Sequence, residues 1–331
     1  MTSNHTLLIR RPDIEAVFGI SEAISAVEEA FRFYGEGRVQ MPPKLYLNFE
    51  KGDLRCMPVY MPPLNISGVK NVNVHPDNTD LPTVMATITL IDPETGFPLA
   101  ILDGTYLTGM RTAAAGAVAT KYLSRQDSRT AGFVGAGRQA RTQLEGLLQV
   151  RPGIRTVLAC DLDPSRAEEL CRLATELGVA ETEACHAPEQ TVRRADVLTT
   201  TTPTRDPIVE DEWVRPGTHI NAIGADAEGK EELAPHLLTR ARIVIDNWEQ
   251  ASHSGEINVP LADDIISRED ILGDVGELVT GGIEGRTSDE DITIFDSTGL
   301  AIQDIATAHR TYRILTEDED RRASLQSIEF F

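Results

Sequence analysis

The sequence predicts an α/β protein. Its second half reads as a doubly wound parallel sheet and its first half as an α+β portion of mostly antiparallel strands. Three observations predict this. From Arg129 onward, short apolar runs alternate with amphipathic helical stretches. The run Gly135-Ala136-Gly137-Arg138-Gln139-Ala140 stands between one such apolar run and the helix after it. Between Lys44 and Asp103 the rhythm is instead one of short alternating runs broken by Pro and Gly.

Taken in order, the first helix is read over Ser21 to Tyr34. Ile24, Val27, Phe31 and Tyr34 share one face, Ser21 caps the start, and Gly35 and Gly37 stop it. Leu45–Leu47, Leu54–Met57, Val69–Val74, Thr83–Ile91 and Leu99–Leu102 read as strands, with Asp92-Pro93-Glu94-Thr95-Gly96 as a hairpin turn. Arg111 opens the Ala-rich stretch Thr112–Leu123, whose small residues allow close helix packing. Strands follow at Thr130–Val134, Thr156–Cys160, Val197–Thr200, His219–Ile223 and Ile243–Asp246, and helices at Arg138–Gln149 and Ser165–Leu177. The chain ends in a helix over Gly299 to Leu315 and an acidic tail. Ser297-Thr298-Gly299 reads as its N-cap, either gripping an anion or amide or serving as a plain cap.

A length of 331 residues suffices for two domains or one large one with a real core. No apolar run approaches the ~20 residues of a membrane span. Met1 to Arg11 lacks the apolar core of a signal peptide, so a cytoplasmic location is expected. Cys56, Cys160, Cys171 and Cys185 form no C-x-x-C pair and read as scattered reduced thiols, with no metal site implied. The formal net charge of -21 argues against nucleic acid or an anionic membrane as partner. It also means that a small anionic substrate needs local positive charge where it binds. The basic residues are mostly Arg, with lysines only at positions 44, 51, 70, 121 and 230, a composition that suggests a salty cytosol.

The glycine run has a physical reading in its context. Gly135 permits the tight turn after the strand. Gly137, lacking a side chain, lets a pyrophosphate approach the free N–H groups at the helix start, and Ala140 lets helix and strand pack closely. Asp161 ends the next strand, where an acidic residue hydrogen-bonds ribose hydroxyls. A carboxylate there repels a 2′-phosphate, so NAD is favoured over NADP. Arg138 offsets part of that repulsion and leaves NADP open.

On the substrate side, chemistry on an amino or keto acid needs cations for the carboxylate and an acid/base group near the reacting carbon. Arg55, Lys70 and Arg111 each stand in an otherwise apolar stretch, where an unpaired cation is costly. Each reads as a substrate ligand, a buried ion pair or an exposed side chain. Asp226 follows a strand in Gly224-Ala225-Asp226, on the loop side that faces ligands in doubly wound folds. His75 reads as catalytic or, standing before Pro76, more in keeping with a structural place.

Several motifs together resemble the ornithine cyclodeaminase/mu-crystallin family over nearly the whole chain. They are Met41-Pro42-Pro43-Lys44, Asp53-Leu54-Arg55-Cys56-Met57-Pro58, Lys70 to Pro76, Leu81-Pro82-Thr83-Val84, Arg111-Thr112-Ala113-Ala114, the glycine run, Asn221 to Asp226, and Phe295 to Asp304. The resemblance is nearest to the family's archaeal alanine dehydrogenase branch. It implies a Rossmann doubly wound NAD-binding domain at 126–302. It implies a discontinuous α+β substrate/dimerisation domain at 1–125 and 303–331, and a homodimer. It implies that Lys70 is the acid/base, that Arg111 binds the carboxylate and that Asp226 acts on the amine or the attacking water. It implies cofactor contacts from Thr83, Arg111, Gly135, Gly137, Arg138, Gln139, Asp161, Thr202, Ala222, Ile223, Gly224, Ala225, Lys230 and Ser297.

One departure is informative. The family's ornithine cyclodeaminases carry a glutamate where this chain has Arg55. A carboxylate suits a substrate with a second ammonium group; an arginine suits a short acid. At ~4 Å and an effective dielectric of ~20, the exchange alters the interaction with an ammonium by roughly 8 kcal/mol before screening. The expected activity is therefore reversible NAD-dependent oxidative deamination of L-alanine to pyruvate and ammonia. The alternatives are ornithine cyclisation to proline, ketimine reduction, and a non-catalytic NAD(P)-binding protein like mu-crystallin.

Overall fold

The computed structural model describes residues 5–330. The first part of the chain forms β1 (His5–Ile9), α1 (Arg11–Glu15), α2 (Ile20–Gly35), β2 (Leu45–Phe49), β3 (Gly52–Met61), β4 (Ile66–Val74), β5 (Val84–Ile91), β6 (Pro98–Asp103) and α3 (Gly104–Leu123). There follow β7 (Thr130–Val134), α4 (Arg138–Val150), β8 (Thr156–Cys160), α5 (Pro164–Glu176), β9 (Glu181–Ala184), α6 (Pro188–Val192), β10 (Val197–Thr200) and β11 (His219–Ala222). The last part holds α7 (Pro235–Leu238), β12 (Arg242–Ile245), α8 (Trp248–Ser254), α9 (Asn258–Ala262), β13 (Ile271–Asp274), α10 (Val275–Thr280), β14 (Thr293–Asp296), α11 (Ala301–Thr316), α12 (Glu319–Ser324) and β15 (Gln326–Glu329).

The chain divides into two compact units, Met1–Arg111 with Leu300–Phe331, and Thr112–Gly299. These boundaries differ from those expected at 125/126 and 302/303. One falls inside α3, because the Ala-rich half of that helix lies tight against α4: a Cβ on Gly146 would come within 2.9 Å of the Ala113 carbonyl oxygen. The other precedes α11, because Thr298 and Gly299 donate their backbone N–H groups to Asp246, each at 2.7 Å.

The first unit is a seven-stranded sheet in the order β15-β1-β6-β5-β4-β3-β2, antiparallel except for the β1–β6 pair. On β4 the residues Ile66, Gly68, Lys70 and Val72 are buried and their neighbours less so, the period of a strand with one covered face. α11 packs on that face. A Cβ on Gly68 would fall 2.5 Å from the Thr89 oxygen and 2.7 Å from Ile305 Cδ1, so glycine is what lets the helix lie directly on the strand. This approach brings Gln303 and Asp304, in the first turn of α11, over Lys70.

The second unit is an eight-stranded sheet in the order β13-β12-β14-β11-β10-β7-β8-β9, with every pair parallel. The chain runs outward from β7 through β8 to β9, then returns to start again at β10. The crevice between β7 and β10 is thus a topological switch point, where such folds take ligands. The central strands β7, β8 and β10 are buried almost end to end, as cover on both faces implies.

Candidate active site

A buried ionic group stands in the first unit. Lys70 Nζ lies 2.8 Å from Asp304 Oδ2, and the two side chains are 1% and 0% exposed. Arg111 Nε donates to Asp304 Oδ1 at 3.0 Å, and its Nη1 donates to Gln303 Oε1 at 2.9 Å. Burial lowers the Lys70 ammonium from 10.5 to about 7; Arg111 and Lys44 push the same way and Asp304 opposes them. With Lys70 protonated, one carboxylate thus stands between two buried cations and leaves an excess positive charge. Among the readings open to Lys70 and Arg111, both enter a buried ion pair, and that pair is incomplete in charge.

Arg55 sits on the same face of the sheet. It pairs with Val72 across β3–β4, one strand repeat from Lys70, which faces Met57. Its Nε and Nη2 donate to the two oxygens of Asp53 at 3.1 and 3.0 Å, and its guanidinium lies 5.6 Å from the centre of the Tyr46 ring. Its charge is therefore shared with Asp53 locally.

In the second unit the glycine run begins after β7 and opens α4, as its chemistry predicts. Gly135 takes a left-handed φ of 86°, and a Cβ there would lie 2.8 Å from Thr202 Cγ2. Gly137 caps α4 and has open space where a Cβ would stand, and no acidic residue enters the first turn of the helix. Asp161 Oδ2 accepts from the Ala136 N–H at 2.7 Å and Oδ1 from that of Asp163 at 2.9 Å, so the carboxylate braces the loop itself.

The remaining predicted residues are placed as follows. Asp226 Oδ1 accepts from Lys230 Nζ at 2.7 Å, which joins an expected catalytic residue to an expected cofactor residue in one ion pair. Ala222, Ile223 and Ala225 are buried at the end of β11, with Gly224 half-buried among them. Arg138 is exposed and Gln139 half-buried at the start of α4; Thr83, in the first unit, is exposed and accepts the His75 N–H at 2.8 Å through its carbonyl. Ser297 is buried, with no partner for its Oγ. The expectation that Ser297-Thr298-Gly299 caps the last helix is overturned. The cap is Leu300 and the helix starts at Ala301. Thr298 and Gly299 are drawn away by Asp246, and Gly299 adopts a left-handed φ of 82°.

Sequence reasoning missed the carboxylates beneath these loops. Glu232 Oε1 accepts from Thr202 N at 2.6 Å and Thr202 Oγ1 at 2.8 Å, while Oε2 accepts from Thr200 Oγ1 at 2.6 Å and Gly224 N at 2.8 Å. One side chain thus ties the ends of β10 and β11 together. Glu256 in turn accepts from the backbone N–H groups of Glu232 and Leu233. Burial and the nearby Glu232 charge push the Glu256 carboxyl well above its usual range, and burial with Asp246 pushes Asp296 up to about 8. Among the described residues no group of these acids could hold a metal ion. Gln303 and Asp304 were also missed as site residues, although they end the last motif noted above.

The model of the ornithine cyclodeaminase/mu-crystallin family matches residues 4–319. The alanine dehydrogenase of Archaeoglobus fulgidus is 50% identical over 309 residues, covering 93% of this chain and 94% of that one. The structure of an archaeal alanine dehydrogenase dimer with bound NAD superposes with a TM-score of 0.93 at 48% identity, over 99% of this chain and 100% of that one. That of Thermococcus litoralis Δ1-pyrroline-2-carboxylate reductase with NADH and L-proline gives 0.92 at 36% identity, over 98% and 100%. The chain belongs to the ornithine cyclodeaminase/mu-crystallin family.

Proposed function

We propose that this chain is an NAD-dependent amino-acid dehydrogenase that interconverts L-alanine with pyruvate and ammonia. The observation that carries the reading is the buried group of Lys70, Arg111 and Asp304, whose excess positive charge an acid's carboxylate would neutralise. The relative that is 50% identical is an alanine dehydrogenase. Arg55 supports a short substrate, since no carboxylate stands at that position to take a second ammonium.

The second unit suits a dinucleotide. Gly137 leaves room at the α4 N-terminus for a pyrophosphate, and the buried Ser297 Oγ lacks a partner. Gly135, Gly137, Arg138, Gln139, Asp161, Thr202, Ser297 and the segment Ala222–Ala225 with Lys230 would hold the cofactor. When bound, NAD supplies the hydride acceptor for the alanine Cα hydrogen.

The chain's own residues then divide the work. Arg111 holds the substrate carboxylate. Lys70, held near neutrality at about 7, takes up and returns protons close to working pH without help from a second base. Asp226 places the water that replaces ammonia, with Lys230 fixing its orientation.

Assembly as a homodimer goes with this reading, because the matched archaeal structure is a dimer. The sheet face opposite α11 supports it. Leu45, Leu47 and Phe49 of β2 are 54%, 49% and 49% exposed there.

The test is NADH formation with a panel of acids. L-alanine should give NADH and L-ornithine none. Faster turnover of Δ1-pyrroline-2-carboxylate with NADH than of pyruvate would replace this reading with imine reduction, and ammonia release from ornithine without NADH would replace it with cyclisation.

A further inference from the structure

Gln303 lies next to Asp304 in the first turn of α11 and is fully buried. Its Oε1 accepts from two donors, Arg111 Nη1 at 2.9 Å and the Leu300 N–H at 3.1 Å. This fixes which end of the amide is oxygen, since turning it over would set an NH2 group against both donors. Nε2 is then left without a partner. A buried, unpaired N–H is costly to keep. This one is bonded through its own amide to Arg111, beside the group whose charge is incomplete.

We propose that Gln303 is a further substrate-binding residue, its Nε2 donating to an oxygen of the acid that Arg111 and Lys70 attract. The inference rests on the acid-binding reading given above and adds a neutral donor to it. A ligand oxygen there completes the hydrogen bonds of Gln303 and takes up the positive excess together. Oε1 keeps its bond to Arg111 throughout, so the same amide steers the guanidinium and contacts the ligand. Asp304 Oδ1, which accepts from Arg111 Nε at 3.0 Å, holds the guanidinium from the other side.

Two substitutions separate the donor from other properties of the residue. Gln303→Glu keeps an acceptor for Arg111 and Leu300 but loses the donor and adds charge. Gln303→Met keeps neutrality but loses donor and acceptor. Only the Nε2 donor is lost in both. The probe is oxamate, an unreactive analogue of a 2-oxo acid, titrated calorimetrically into the NADH-loaded protein. The KM for pyruvate is measured beside it, and NADH affinity reports folding. Both variants should weaken oxamate and raise the KM for pyruvate by roughly tenfold to a hundredfold, with NADH affinity near wild type. Weakening in Gln303→Glu alone would assign the effect to charge, and in Gln303→Met alone to the Arg111 contact; either overturns the proposal, as does failure of the wild type to bind oxamate. Loss of alanine and pyruvate turnover in the wild type, with oxamate binding still dependent on Gln303, would refute the alanine reading and leave this one standing.

Discussion

Lys70 Nζ meets Asp304 Oδ2 at 2.8 Å in a place closed to water, and Arg111 meets the other oxygen of the same carboxylate at 3.0 Å. The aspartate is thus shared as counter-charge by two cations. Burial works to strip the proton from Lys70, Arg111 adds to that, and Asp304 resists.

Replacing Asp304 removes the resistance. In Asp304→Asn, Lys70 should titrate lower than its present value of about 7, and the Lys70 limb of the pH–rate profile should move toward acid. The buried Arg111 guanidinium would then lack its counter-charge, so the fold should lose about 3–5 kcal/mol near neutral pH. Steady-state rates across pH and urea unfolding check the two parts. A limb that stays in place would remove Lys70 as its source.

The same lysine makes stability depend on pH with a defined sign. Its ordinary value is 10.5 and its value in the fold about 7, so between these limits the unfolded chain binds the extra proton. Stability should therefore rise with pH from about 7 to 10.5, and below about 7 the cost of the buried charge is fully present. Lys70→Met should flatten that rise when unfolding is followed across the alkaline range.

Asp296 has the opposite sign. Its carboxyl is raised from 3.8 to about 8, so between these values the folded chain binds the extra proton. This group should make stability fall as pH rises through that interval, with the full cost present above about 8. Asp296→Asn, neutral at every pH, should remove the fall. Identical slopes for variant and wild type from pH 4 to 8 would contradict the assignment.

The two glycines of the turn before α4 should separate folding from binding. Gly135→Ala forces a side chain into a φ of 86° and against Thr202, so it should unfold at lower temperature. Gly137→Ala meets no neighbour within 4 Å and should melt near wild type while its Kd for NADH rises. Calorimetry with and without NADH reads both. Unchanged NADH affinity in Gly137→Ala would move the pyrophosphate elsewhere.

The parts legible in the sequence were those with strong local patterns. The strand Thr130–Val134 and the helix from Arg138 were read with their bounds nearly intact, because apolar period and glycine spacing agree there. β1, β9, β13, β14 and β15 were not read. β14 is four buried residues, Thr293–Asp296, with a polar residue at each end, and β15 is wholly exposed, so neither alternates. Lys70 and Arg111 stood out as cations in apolar stretches. Their counter-ion did not, because Asp304 in a first helical turn looks like an ordinary acid favoured by the helix dipole. Glu232 was hidden in the same way. Glu231-Glu232 reads as a solvated pair, and only the fold shows that Glu232 gathers the backbone of two strand ends.

The most direct test of the account is NADH formation from L-alanine by wild type and Lys70→Ala, with NADH affinity measured on both. The wild type should produce NADH steadily and the variant none, with equal affinity for NADH. Turnover surviving in Lys70→Ala, or a wild type that leaves alanine untouched, would contradict it.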